Sequence, residues 1–91
     1  MRRLVTIDLR NADVELFAAY EAKVLPLLAK YGGRLEMRVR ALDGSSETHL
    51  LFFPDSPAFE AYRADPNRQA VLDEWERSGA TSVALEVEPV D

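Results

Sequence analysis

Ninety-one residues, of which 47% are hydrophobic and 30% charged, predict a single globular domain (residues 1–91) with a small core of its own. A formal net charge of −5 without any basic run longer than two residues disfavours nucleic acid as a partner, and no stretch is long and apolar enough to span a membrane. Because the chain has no cysteine and one histidine, we expect no disulfide, metal site or cofactor. We also expect a cytoplasmic protein, because Asp8 and Arg10 interrupt the first apolar run before a secretion signal could form.

A change of hydrophobic period predicts the first strand and the first helix. Residues 3–9 alternate between apolar and polar side chains, which is typical of a strand. Helix one is predicted from a cap at Asn11 or Asp13 to Tyr31, with an apolar stripe at spacings of three and four: Phe17, Tyr20, Val24, Leu27, Leu28 and Tyr31. Pro26 predicts a kink in this helix, because proline lacks the backbone N–H that the helix needs.

A hairpin is predicted in the middle of the chain. Strand two (residues 34–42) alternates strictly, with charged side chains at every second position: Arg34, Glu36, Arg38 and Arg40. The turn cluster "DGSS" (residues 43–46) then leads into strand three, residues 47–53. Both faces of strand three are largely apolar, which indicates that both are covered.

Two prolines in first-turn positions predict a second helix in two pieces. Its starts are at Ser56 and Asp65, its break is near Ala64, and Gly79 ends it. Residues 81–88 alternate again and form strand four. The order β-α-β-β-α-β predicts an α+β, ferredoxin-like domain, in which a four-stranded antiparallel sheet carries two helices on one face.

The alternation also predicts which side chains lie beneath the helices: Val5, Ile7, Leu9, Leu35, Met37, Val39, Leu51, Phe53, Val83, Leu85 and Val87. The opposite face has Leu50 and Phe52 at its centre, which would be an exposed apolar patch on a monomer. We therefore expect a homodimer through this face and the edge strands. Within it, Arg38 and Arg40 would meet acidic residues of the partner's last strand, the partner's Glu86 and the partner's Glu88.

Three segments carry a resemblance to known proteins: "LLAKYGGR" (residues 27–34), "FPD" (53–55) and "AYRADPNRQA" (61–70). With them the chain resembles the dimeric α/β-barrel superfamily, and within it the family catalogued as domain of unknown function 1330. The resemblance implies that two subunits join their sheets into one barrel, with an apolar cleft between sheet and helices. The superfamily includes cofactor-independent monooxygenases of polyketide pathways, muconolactone isomerases, haem-degrading enzymes and dehydratases, so the fold alone does not select a reaction.

His49 is the first candidate for chemistry, because histidine alone has an ordinary pKa near neutrality and the alternation places it on the helix-facing side of strand three. The alternative is a partly buried histidine bonded to a backbone group. A pocket for a flat, mostly apolar ligand is predicted from the aromatic side chains that should converge there: Phe17, Tyr20, Phe53, Tyr62 and Trp75. The alternative role of these rings is core packing.

Two functions stay open from the sequence, and so does the question of whether the protein is an enzyme. One is a small cofactor-independent monooxygenase or isomerase that acts on an aromatic or enolisable carbonyl compound, with His49 as proton carrier. The other is a non-enzymatic dimeric ligand-binding or accessory protein. An open pocket that touches His49 favours the enzyme, whereas a closed cleft with His49 bonded to the backbone favours the second function.

Overall fold

Four antiparallel strands form one sheet in the order β2-β3-β1-β4. In the computed structural model, which describes residues 1–91, the strands are β1 (Arg2–Asp8), β2 (Arg34–Arg40), β3 (Ser46–Phe52) and β4 (Thr81–Val87). This order is that of a ferredoxin-like domain, with β1 and β3 in the centre and β2 and β4 at the edges. The predicted fold is therefore confirmed.

The helices all belong to the two predicted connections. The first holds α1 (Val14–Val24), which continues directly as a 3₁₀ helix, Leu25–Tyr31, and the second holds α2 (Ser56–Arg63), α3 (Pro66–Gln69) and α4 (Leu72–Ser78). Pro26 stands in the first turn of the 3₁₀ helix, so the predicted helix one changes from α to 3₁₀ next to the proline. None of these helices is long and apolar enough to cross a membrane.

Two aspartates set the helix starts in the second connection. Asp55, and not Ser56, caps α2 by accepting a hydrogen bond from the backbone N–H of Ala58 at 2.8 Å. Asp65 caps α3, as predicted, and its side chain also accepts hydrogen bonds from Lys30 at 2.9 Å and from Tyr31. Asp65 thereby ties the break between α2 and α3 to the end of the first helical connection.

A β-bulge at Glu36 reverses the alternation of β2. Leu35 is paired with Leu51, but Met37 is paired with Leu50, so one extra residue of β2 lies between two adjacent pairs. Beyond the bulge, the side chains that the sequence places beneath the helices, Met37 and Val39, lie on the open face. The predicted contact of Arg38 and Arg40 with a partner's acidic residues is also wrong, because these two arginines turn to the helix-covered face and bind Glu47.

The predicted orientation of β4 is reversed as well. Val83 pairs with Thr6 and Leu85 with Leu4, which places Val83, Leu85 and Val87 on the open face. The helix-facing positions of β4 are instead Ser82, Ala84 and Glu86. Both sets contain small or apolar residues, so the alternation shows which side chains share a face without showing which face is covered.

The core beneath the helices consists of two small clusters. One contains Ile7, Leu9, Phe17 and Ala80, and the other contains Leu28, Leu51, Phe53 and Tyr62. Phe53 is fully buried and Phe17 is 1% exposed. Side chains from both clusters also border an open cavity, which is the candidate functional site.

Candidate functional site

A cavity of about 350 Å³ lies between the sheet and the helices. The sheet contributes Val5, Ile7, Leu51 and the exposed Ala84 at the β4 edge, and most of the remaining wall is also apolar or aromatic. This volume is within the range of small-molecule sites. The cavity can therefore accept a compact organic molecule.

Glu47 and His49 form a buried pair on β3. They are two residues apart on one strand and so lie on the same face. Glu47 is 1% exposed and His49 is 3% exposed, and Nε2 of the histidine is 2.8 Å from Oε1 of the glutamate. His49 also lines the cavity.

Two arginines from β2 complete the environment of Glu47. The Nε atom of Arg38 donates to Oε1 at 2.5 Å, and Nη2 of Arg40 donates to Oε2 at 2.8 Å. Burial alone raises the pKa of Glu47, but the hydrogen bonds from His49, Arg40 and Arg38 outweigh burial and lower the pKa to about 2. Glu47 is therefore a carboxylate at neutral pH.

The charge on Glu47 determines the tautomer of neutral His49. A carboxylate only accepts hydrogen bonds, so Nε2 must carry the hydrogen that it shares with Glu47. The other ring nitrogen, Nδ1, then keeps its lone pair, and it has no hydrogen-bond partner in the protein. Neutral His49 is thus a base with a fixed tautomer at the wall of the cavity.

Glu21 is a second buried acid at the same cavity. It lies on α1, is 5% exposed and makes no hydrogen bond with its carboxyl group. Burial raises its pKa from 4.5 to about 7; the charge of Glu47 acts in the same direction, and Arg38 and Arg68 act against it. Glu21 can therefore carry a proton near neutral pH.

Four of the six residues that the sequence predicts for the site do lie at the cavity. They are His49, Tyr20, Tyr62 and Trp75, and the rings of Tyr20 and Trp75 are 5.4 Å apart between centroids. Phe17 and Phe53 do not reach it, because each is enclosed in one of the two core clusters. The structure therefore does not bring these two rings to the cavity, and their contact with a ligand stays a prediction.

Sequence reasoning missed the two acidic residues, although each left a signal. Glu47 is two residues before His49 on a strand whose helix-facing side is buried, and this spacing indicates a carboxylate next to the imidazole. Glu21 interrupts an apolar stripe at positions 17, 21, 24 and 28, where a charged side chain must face the interior. The roles of Arg38 and Arg40 had no such signal, because they depend on the bulge.

A metal centre is not apparent among the described side chains. No group of three or more histidine, cysteine, aspartate or glutamate residues is close enough together to hold a metal ion. The polar groups of the cavity are instead suited to proton transfer and to binding charged groups.

Several solved structures have the same fold as this chain, and the proteins they come from are described in different ways. The chain matches a NIPSNAP domain protein from Burkholderia xenovorans (20% identity, TM-score 0.63, 97% of this chain and 95% of the other). It also matches a proposed antibiotic biosynthesis monooxygenase from Deinococcus radiodurans (14%, 0.64, 99% and 94%) and a dimeric ferredoxin-like protein of unknown function from Jannaschia sp. CCS1 (18%, 0.65, 96% and 100%). No family model and no curated protein matches the chain. The TM-scores of these three structures show that the chain shares their ferredoxin-like fold.

The raised pKa of Glu21 predicts a pH-dependent effect of Glu21→Gln on stability. The folded protein holds this proton more tightly than the unfolded chain does, so ionisation of Glu21 lowers the free energy of unfolding as the pH rises from 4.5 to about 7. Glutamine does not ionise, so the variant should gain on the order of 1–3 kcal/mol relative to wild type between pH 5 and pH 8. Urea denaturation at the two pH values measures the difference.

The exposed Glu76 on α4 provides the matched control for this measurement. Glu76→Gln should show no comparable gain, since an exposed carboxylate keeps its water. An equal effect of Glu21→Gln at pH 5 and pH 8 would contradict the assignment of a raised pKa to Glu21.

Proposed function

We propose that this protein is a dimeric, cofactor-independent enzyme of the monooxygenase or isomerase type. Its substrate is an aromatic or enolisable carbonyl compound that binds in the cavity, and His49 moves the proton. The observation that carries the proposal is an imidazole held by a buried carboxylate, with its second nitrogen free, at the wall of an open apolar cavity. The described chemistry of the cavity supports the enzyme over a passive binding protein, because His49 is bonded to Glu47 and not to the backbone.

Each group of the pair has a distinct part in the proposed reaction. Nδ1 of His49 takes a proton from the carbon next to the carbonyl, and the electron pair passes to the carbonyl oxygen as an enolate. Glu47 stabilises the imidazolium that forms and keeps the ring in place, as a positioning residue. Apolar walls keep water away from the anion. An isomerase returns the proton to another carbon. In a monooxygenase the carbanion reacts with dioxygen to give, after protonation, a hydroperoxide, whose O–O bond then breaks with loss of water to leave a new carbonyl group.

The open sheet face supports the dimeric part of the proposal. Four apolar side chains on this face are uncovered, and their exposed fractions are 39% for Met37, 51% for Val39, 67% for Val83 and 58% for Leu85. Monomeric proteins rarely leave such a contiguous apolar face in water. The dimeric ferredoxin-like protein from Jannaschia is similar in fold. We therefore propose that two sheets face each other as in the dimeric α/β-barrel superfamily, that the chain is a member of domain of unknown function 1330, and that it is cytoplasmic.

Deuterium exchange tests the proposed proton transfer without knowledge of the natural substrate. The protein is incubated in D₂O with a panel of arylpyruvates, aryl ketones and 1,3-diketones, and mass spectrometry follows deuterium at the carbon next to the carbonyl. We expect catalysed exchange of at least one compound and a loss of about 10²-fold or more in His49→Gln, which can still donate to Glu47 but provides no base. Equal exchange by wild type and by His49→Gln would refute the role of His49.

Two adjacent residues of β4 test the proposed dimer interface. Val83 faces the open side and Ser82 the helix side, and both are exposed in the protomer. Val83→Asp should convert a particle of twice the 10.2 kDa protomer mass into a monomer, because it places an unpaired charge in the interface. Ser82→Asp should leave the mass unchanged. Light scattering coupled to gel filtration measures both, and a monomeric wild-type protein would rule out the interface.

A further inference from the structure

Two arginines differ from the other basic side chains of the protein because they have no carboxylate partner. Of the eleven lysine and arginine residues, nine form an ion pair with a carboxylate within 4 Å. The remaining two are Arg3 and Arg68, and both line the cavity. This is notable because the chain has five more acidic than basic side chains, so carboxylates are abundant.

Burial makes the lack of partners costly. The Nε atom of Arg3 and the Nε atom of Arg68 are both buried, and neither has a hydrogen-bond acceptor. Buried donors are normally satisfied, since an unsatisfied one retains the cost of losing water. Apart from one hydrogen bond of 3.5 Å that Nη1 of Arg68 donates to the backbone carbonyl of Arg63, the chain supplies no acceptor to these two groups, which fits an acceptor that comes from a ligand.

Each of the two guanidinium groups contacts an aromatic ring of α2. The guanidinium carbon of Arg3 is 4.8 Å from the ring centroid of Phe59, and that of Arg68 is 5.1 Å from the centroid of Tyr62. Phe59 and Tyr62 are three residues apart on α2, so their rings are neighbours on one helix face. Both cations therefore lie against aromatic side chains with which α2 lines the cavity.

We propose that Arg3 and Arg68 bind the carboxylate of an aromatic acid whose apolar body fills the cavity. Guanidinium groups pair with planar carboxylates through two parallel hydrogen bonds. The remainder of the cavity offers flat or apolar surfaces, including Tyr20, Leu72 and Trp75, which match an aromatic body better than a polar one. This inference rests on the proposed function for the location of the ligand, and it adds the ligand's charge and chemical class.

The other charged groups near the cavity are compatible with a bound carboxylate. Glu47 is already neutralised by Arg38 and Arg40. Glu21 is the acid that faces Arg68, and its raised pKa of about 7 means that it is largely uncharged below neutral pH. Arg63, which also lines the cavity, is paired with Glu60 at 3.8 Å, so it does not compete with Arg3 and Arg68 as an unpaired cation.

Isothermal titration of the full-length protein tests the assignment directly. The probes are benzoate, phenylacetate, 3-phenylpropanoate and 2-naphthoate, each paired with the corresponding neutral amide, and inorganic phosphate is titrated separately. We expect at least one carboxylate to bind, with its amide about tenfold weaker or more. Arg3→Gln and Arg68→Gln should each weaken that carboxylate by about tenfold or more, which corresponds to 1.4 kcal/mol.

Arg77→Gln is the matched control, because Arg77 is paired with Asp73 on α4 and does not line the cavity. It should leave the affinity unchanged. Thermal unfolding of Arg68→Gln separates a binding role from a structural one: the melting temperature should stay equal or rise, since the substitution removes a cation that has no carboxylate partner and only one long hydrogen bond, to the carbonyl of Arg63. A clear fall in melting temperature would assign Arg68 to the fold and contradict the proposal.

Other outcomes would overturn the inference. It fails if no carboxylate of the panel binds with a Kd below about 1 mM, if the amides bind equally well, or if phosphate binds as tightly as the best carboxylate. Binding as predicted without any deuterium exchange would keep the ligand class and reject the enzymatic proposal. Exchange of an arylpyruvate that is unaffected by Arg3→Gln and Arg68→Gln would keep the enzyme and reject the carboxylate site.

Discussion

The buried carboxylate of Glu47 is the constraint on which the arrangement of this domain depends. With 1% of the residue exposed, it would be strongly destabilising without partners, because a buried charge costs several kcal/mol. Three donors from the same face of the sheet, Arg38, Arg40 and His49, compensate for this cost. The bulge at Glu36 is what brings the two arginines to that face, so the backbone irregularity, the ion pairs and the histidine tautomer form one connected unit.

This unit occupies space that a small domain would otherwise use for apolar packing. Only 16 of the 91 residues are buried, and five of these are polar or charged. The two apolar clusters flank the cavity instead of merging, and the open face of the sheet buries little within one protomer. A chain of this size gains limited stability from its own core. Association through the open face would supply apolar burial that the protomer lacks, and it would leave the cavity on the opposite side of the sheet free.

Hydrophobic period and helix caps were sufficient to predict the element order, the ferredoxin-like fold, the helix break at Asp65 and the helix-facing position of His49. They were insufficient for side-chain orientation in the edge strands, because one inserted residue at Glu36 reverses every later position of β2, and β4 has acceptable residues on both faces. The buried acids could have been found from spacing, since Glu47 shares a strand face with His49. The arginine partners of Glu47 could not have been found, because these ion pairs join β2 to β3 and the local sequence pattern does not determine the register of the two strands.

The tautomer of His49 is the property that tests this account most directly. A long-range ¹H–¹⁵N correlation spectrum at pH 8 distinguishes a protonated imidazole nitrogen from a bare one by chemical shift. We expect a hydrogen on Nε2 and a lone pair on Nδ1, because Glu47 accepts the bond from Nε2. In Glu47→Gln this preference should be lost. A hydrogen on Nδ1 in the wild-type protein, or the same spectrum in both proteins, would contradict the proposed arrangement of the base.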